Sequence, residues 1–308
     1  MTTNPLIFDR ALLASRRDRA AAKATAHDFL LVRIAEDIAD RLHAVKRTFP
    51  VAVDLGSHHG VVGRAVARVP GVETVVSMDG APALVRQAAG LRVQADEEAL
   101  PFRDGALDLV VSGLSLHLVN DLPGTLIQVR RALKPDGLFL GALLAGETLT
   151  ELRQAFLAAE SEMDGGASPR VAPFADVREL GALLQRAGFA LPVADADTVT
   201  VTYADSLALV REIKAMGTSN MLADRRRTPI RRATFVRALE IYTARFGLPN
   251  GRIPATFEIV TLTGWVPHES QQKPLRPGSA AARLADALGT TERSAGDKTR
   301  GTDPGRAS

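Results

Sequence analysis

The chain has no cysteine among its 308 residues. That absence removes disulfides, thiolate metal sites, iron–sulfur ligation and a cysteine nucleophile together. Excess charge of one sign is also scarce: 38 basic against 35 acidic side chains leave +3, too little to imply nucleic-acid binding. No window approaches the roughly 18 apolar residues of a membrane span, and the N-terminus lacks the apolar core of a secretion signal. The expectation is a cytoplasmic chain with no transmembrane segment, free to touch a membrane-bound partner. Histidine is sparse. His27, His43, His58, His59, His117 and His268 form no His-x-Asp pair, so neither an iron triad nor any other metal site is visible. No internal repeat is present.

What the chain does have is a run of apolar residues into a glycine turn. Val51 and Val53 lead to Asp54, Gly56 lets the chain turn, and Gly60 opens a helix through Val61, Val62, Ala65, Val66 and Val69 that stops at Pro70-Gly71. A strand, a glycine turn and a helix N-terminus direct backbone N–H groups at a ligand. A second apolar stretch, Val75-Val76-Ser77-Met78, ends in Asp79, where an acid is placed to take ribose hydroxyls. The first half is built to hold a nucleoside.

Around this motif the pattern predicts an N-terminal helical segment at 1–48, with Leu31, Ile34, Ile38 and Leu42 on one face. The run Arg16-Arg17-Asp18-Arg19 ahead of it reads as a solvated helix surface. Strands are predicted at 51–55, 74–78, 107–112 and 137–144, with helices between them. Lys134-Pro135-Asp136-Gly137 is predicted as a turn in which Gly supplies a positive φ. Two helices follow in 146–200, then β-branched strands at 198–203 and 256–262 with helices at 205–216 and 230–246 between them. The domain is expected to span 49–270 with a helical insertion at about 205–250, followed by a largely disordered tail at 271–308.

The spacing Gly56-x-x-x-Gly60 after Asp54 departs from the dinucleotide fingerprint and resembles the class I S-adenosylmethionine-dependent methyltransferases. Ala95-Asp96-Glu97-Glu98-Ala99-Leu100-Pro101-Phe102 is similar to that fold's loop after its third strand, and Leu107-Asp108-Leu109-Val110 with Ser112, then Leu133-Lys134-Pro135-Asp136-Gly137, continue the match in order. The resemblance implies an α/β, Rossmann-like doubly wound sheet, mostly parallel, with an antiparallel C-terminal strand preceded by the helical insertion. It implies S-adenosyl-L-methionine as cofactor. Asp54, Gly56 and Gly60 would border its methionine end, Asp79 its ribose and Asp96 its adenine, with Ser57, His58, Glu97 and Ser112 also among the cofactor-binding residues. The family usually has Gly where this chain has His58, and a Cβ makes a positive φ there costlier.

Outside this core the chain resembles the mitochondrial complex I assembly factor 5 family, the arginine-hydroxylase assembly factors. The segments that carry this are Phe8-Asp9-Arg10, Ser112 to Pro123, Gly146-Glu147-Thr148-Leu149, Ala172-Pro173-Phe174, Pro254 to Ile259 and Gly264-Trp265-x-Pro267-His268-Glu269-Ser270-Gln271. The resemblance implies modification, by hydroxylation or methylation, of an arginine in a peripheral-arm subunit of respiratory complex I during assembly, with peripheral contact at the inner membrane left open. Two other functions compete. One is a small-molecule or malonyl-acyl-carrier-protein O-methyltransferase of biotin synthesis; the other is a non-catalytic assembly chaperone.

Two residues stand as candidates for chemistry. His117 follows the fourth strand, in the loop that rims the pocket in this fold, and reads either as a base or substrate ligand or as a structural histidine between Leu116 and Leu118. Glu147 follows the fifth strand and reads either as a partner for a guanidinium or as a helix cap. Asn120 and Asp121 read either as substrate contacts or as the cap of the helix beginning at Pro123. Arg225-Arg226-Arg227 with Arg231 and Arg232 reads as a docking patch for an acidic or anionic surface, or as a solvated loop.

Overall fold

In the computed structural model, residues 6–271 are described, together with Asp286 and residues 289–291. The chain divides into two units, Met1–Glu269 and Ser270–Ser308, and the first holds the sheet. The expected disordered tail at 271–308 lies almost wholly outside the described residues.

Among the described residues, seven strands form one sheet: β1 Val51–Leu55, β2 Thr74–Asp79, β3 Leu91–Gln94, β4 Leu107–Gly113, β5 Leu133–Leu144, β6 Ala190–Tyr203 and β7 Ile253–Trp265. Their order is β3-β2-β1-β4-β5-β7-β6, with β7 antiparallel to both its neighbours and the other pairs parallel. The order reverses between β1 and β4, and a crevice opens there at the carboxyl ends of the strands. Every loop that the sequence marked for a nucleoside leaves the sheet at that edge.

Helices cover both faces. On one lie α2 (Phe29–His43), α3 (Val61–Val66), α6 (Thr150–Asp164), α8 (Ser206–Ala215) and α9 (Arg232–Phe246), packed through Ile38, Val62, Phe156 and Tyr242. On the other lie α5 (Leu122–Ala132) and α7 (Val177–Arg186), packed through Leu126, Val129 and Leu184. α4 (Pro82–Val85) follows β2, and α1 (Arg10–Ala20) lies against α4. The helical insertion expected before the last strand is α8 and α9. Among the described residues no helix is long and apolar enough to cross a membrane.

Three local expectations change. β3 was not among the strands read from the residues, because it is a short edge strand with Leu91 58% exposed, so no buried apolar run announces it. Lys134–Gly137 is not a separate turn. It belongs to β5, whose pairing with β4 jumps from Leu107↔Leu133 to Leu109↔Leu138 across a bulge. Asp136, not Gly137, takes the positive φ of 63°. β6 starts at Ala190, well before 198, and its early acids are met by α2: Arg33 reaches Asp197 at 2.8 Å and Arg41 reaches Asp195 at 2.5 Å.

Candidate functional site

The glycine loop is shaped by three left-handed residues: Gly56 at φ 68°, His58 at 51° and Gly60 at 80°. Gly56 has no alternative, since a Cβ there would stand 2.2 Å from the Ser115 side chain. His58 takes the strained conformation that its position implied, and Asp79 holds it by accepting the His58 N–H at 2.9 Å. The His58 ring lies across the crevice, with Nε2 donating to the Gly113 carbonyl at 3.2 Å. Burial and the charge of Arg17 hold this imidazole well below its ordinary pKa.

The two aspartates at the strand ends have different tasks. Asp54 is wholly buried and accepts the Gly63 N–H at 2.7 Å, fastening the start of α3 to β1, and it lines neither cavity of the site. Burial pushes its carboxyl up to about 7, against the Gly63 hydrogen bond. Ser57 and Ser112 also line neither cavity. The Ser57 N–H donates to Met78 at 2.9 Å, and the Ser112 hydroxyl donates to the Leu55 carbonyl at 2.7 Å. Asp79 instead faces a cluster of charges. It accepts the Ala81 N–H at 2.8 Å, and burial pushes it up to about 6 against the pull of Arg17, with Glu97 adding to the rise.

That cluster contains two residues that sequence reasoning missed. Arg10 and Arg17 stand seven residues apart on one face of α1, which carries them over the strand ends. Arg10 binds Asp96 at 2.7 Å, pairs with Glu97, and donates to the Leu118 carbonyl at 3.2 Å. Arg17 is only 3% exposed; its Nη1 lies 3.6 Å from Asp79 and 3.8 Å from Glu97. Glu97 also accepts from the Ser115 hydroxyl at 2.9 Å. Read as a solvated run, Arg16-Arg17-Asp18-Arg19 gave this away only through the i, i+7 spacing of Arg10 and Arg17 with Leu13 between them. The N-terminal segment is tied down by Asn120, whose side chain accepts the Phe8 N–H at 2.8 Å and donates to the Phe8 carbonyl at 3.2 Å. Asp121 caps α5 by accepting the Gly124 N–H at 2.8 Å, as its place before Pro123 implied.

Two cavities meet at Arg17. One, of about 350 Å³, runs under α1 past Asp79, Gly80, Asp96 and Glu97. The other, of about 150 Å³, is lined by Leu31, His58, Leu114, His117 and Phe174 among others. His117 is half-buried there, its ring 5.8 Å from that of Phe174, and its Nδ1 accepts the Leu144 N–H at 3.4 Å, which leaves the ring proton on Nε2. Burial and then the charge of Arg17 push it down to about 3. An imidazole of that pKa is neutral, a weak base and a good hydrogen-bond partner.

Glu147 is not at this cavity. Its side chain is exposed and lines neither space, and α6 is not capped by it: its carbonyl, rather than its carboxylate, takes the Thr150 N–H at 3.2 Å. The arginine patch is also less bare than its sequence suggested. Arg225 meets Asp9 at 3.1 Å, and Arg226 and Arg231 share the half-buried Asp164 at 3.7 and 3.5 Å. Trp265 packs against Phe49, with ring centroids 6.4 Å apart. Among the described residues no group of three or more His, Asp and Glu side chains is arranged to hold a metal ion.

Comparison with known proteins agrees with this geometry. A family described as "Methyltransferase domain" matches residues 53–141, the stretch from β1 into β5. The "Arginine-hydroxylase NDUFAF5, mitochondrial" of Danio rerio is 39% identical over 287 residues, covering 91% of this chain and 89% of the relative. The "Malonyl-[acyl-carrier protein] O-methyltransferase" of Gallionella capsiferriformans is 32% identical, covering 86% of this chain and 93% of the relative. The YcgJ protein of a Bacillus shares the fold with a TM-score of 0.53 at 17% identity, covering 76% of this chain and 98% of that one. The strand order, the glycine loop and identity along nine-tenths of its length thus place the chain in the class I S-adenosylmethionine-dependent methyltransferase superfamily, as a member of the arginine-hydroxylase NDUFAF5 family.

Proposed function

We propose that the protein binds S-adenosyl-L-methionine at the β1–β4 crevice and modifies an arginine of a peripheral-arm subunit of respiratory complex I during assembly. The observation that carries this reading is the 39% identity with a protein named as an arginine hydroxylase, which runs through β6, the helical insertion and β7 as well as the cofactor core. The residues present suit the cofactor. Asp79 and Asp96 line one cavity with carboxylates, which accept from hydroxyl and amino donors such as those of ribose and adenine, and the left-handed Gly56 and Gly60 leave the loop backbone open to close approach. Bound there, S-adenosyl-L-methionine supplies an electrophilic methyl on a sulfonium.

In this reading Asp79 and Asp96 orient the nucleoside, and His117, neutral and with its proton on Nε2, donates a hydrogen bond inside the cavity. Phe174 and Leu114 keep water from that end. Two chemistries satisfy the balance of atoms. For methylation, Asp79 and Asp96 would hold the cofactor, and it would supply its methyl to a guanidino nitrogen of the substrate, with a proton going to solvent. In hydroxylation one atom of dioxygen enters a carbon–hydrogen bond, and the other leaves as water with two electrons and two protons from a reductant.

Peptide mass spectrometry of the peripheral-arm subunits, with and without this gene, tests the proposal. An oxygen-sized mass on one arginine that depends on the gene, and is not restored by Asp79→Ala, supports hydroxylation; a methyl-sized mass supports methylation. A second reading, carrier-protein O-methylation, has the 32% identical relative in its favour. It predominates if no arginine changes and the strain requires biotin. Unmodified subunits with failed assembly and no biotin requirement would leave a chaperone.

A further inference from the structure

Arg10 and Arg17 enter the same acidic cluster but are not equally provided for. The terminal nitrogens of Arg10 are engaged by Asp96, Glu97 and the Leu118 carbonyl, and only its Nε is without a partner among the described residues. Arg17 makes no hydrogen bond to its acids: only Nη1 approaches them, at 3.6 and 3.8 Å, and both Nε and Nη2 are buried without a partner among the described residues. Buried N–H groups are nearly always paired, and a charged group left unpaired is costly, so an acceptor beyond the described residues is called for. Arg17 lines both cavities and stands where they meet, between the ribose acid Asp79 and the histidines His58 and His117. Nε–H and one Nη2–H run parallel along one edge of a guanidinium, and that edge is the fork that takes a carboxylate through two bonds.

We propose that Arg17 anchors the carboxylate of the cofactor's amino-acid moiety through Nε and Nη2, so that α1 closes over the cofactor by gripping it directly. The proposal rests on the S-adenosylmethionine reading above and extends it to a helix that lies outside the matched domain at 53–141. It gives the cofactor two charged holds on separate parts of the chain. Asp79 on the sheet takes the nucleoside, and Arg17 on α1 takes the amino acid. It also couples the cofactor to the substrate end of the cavity. Arg17 is one cause of the low basicity of both His58 and His117, and a carboxylate that neutralises it raises the pKa of both rings.

The test is calorimetric titration of the full-length protein with S-adenosylhomocysteine and with 5′-methylthioadenosine, which keeps the nucleoside and lacks the amino-acid carboxylate. The wild type is expected to bind the first more tightly. Arg17→Gln is expected to lose roughly 10- to 100-fold for S-adenosylhomocysteine and to keep 5′-methylthioadenosine within about twofold, which also shows that the variant is folded. Arg17→Lys, with charge but no fork, is expected to fall between. Unchanged S-adenosylhomocysteine affinity in Arg17→Gln overturns the anchor, as does an equal loss of both ligands. If the wild type binds neither nucleoside, the cofactor reading itself fails, and the anchor with it.

Discussion

The sheet-borne wall of the site and its helical cover hold their charges in different ways. On the sheet, Asp54 and Asp79 are each fixed by backbone N–H groups: Gly63 for the first, His58 and Ala81 for the second. On the cover, Arg17 hangs from α1 with long ion pairs and two unpaired nitrogens. The wall is preorganised, because its acids are part of the turns that position them. The wall leaves Asp54 Oδ1 and Ser57 Oγ without a partner among the described residues, but its acids each keep a backbone N–H, whereas the Arg17 guanidinium makes no hydrogen bond to its acids, as expected of a part that finishes its hydrogen bonding on a ligand.

The largest expected effect comes from breaking the wall. Gly56→Ala forces a Cβ into Ser115 at a left-handed position, and we expect a loss of about 2–5 kcal/mol in unfolding free energy by urea denaturation. Next is Asp79→Asn, which removes the acid proposed to hold the ribose from the same wall. It is expected to weaken S-adenosylhomocysteine and 5′-methylthioadenosine alike by roughly 10- to 100-fold, unlike the selective loss from Arg17→Gln.

The wall also carries a pH signature. Asp54 has its carboxyl raised from 3.8 to about 7 in the folded protein. The native state therefore keeps a proton that the unfolded state has released between about pH 4 and 7, and stability falls as pH rises through that window. Asp54→Asn, which still accepts the Gly63 N–H, is expected to flatten that part of the stability profile by up to a few kcal/mol across the window, read from urea midpoints at several pH values. A smaller effect tests how the cover is tethered. Asn120→Ala frees both backbone groups of Phe8, and hydrogen exchange at the start of α1 is expected to quicken, with a stability loss of about 1–2 kcal/mol. Smallest of all, Glu147→Gln lies outside both cavities and is expected to change nucleoside affinity by less than about twofold.

The same contrast explains what could be read from the residues. The wall was legible because strand, glycine turn and acid are consecutive in the chain: Asp54, Gly56, Gly60 and Asp79 announce themselves by local spacing, and the family resemblance they carry implied the mostly parallel sheet. The cover was not, because its meaning is tertiary. Nothing next to Arg17 in sequence says that Asp79 and Glu97 lie under it, and a charge run on a helix usually faces water. Glu147 shows the converse error. Its place after β5 suggested the pocket, yet the chain turns there so that Glu147 N–H donates to Glu258 at 2.8 Å and the carboxylate faces solvent. The bulge at Lys134–Gly137 escaped for a third reason: a Pro-Asp-Gly sequence signals a turn whether or not strand pairing resumes around it.

Hydrogen–deuterium exchange of the full-length protein, with and without S-adenosylhomocysteine, tests most directly whether wall and cover form one cofactor site. The account expects slower exchange both in the strand-end loops at 55–60, 79–81 and 95–98 and in α1 at 10–20. Protection in the loops with α1 unchanged would contradict the closed cover, and no protection in the loops would contradict the cofactor site itself.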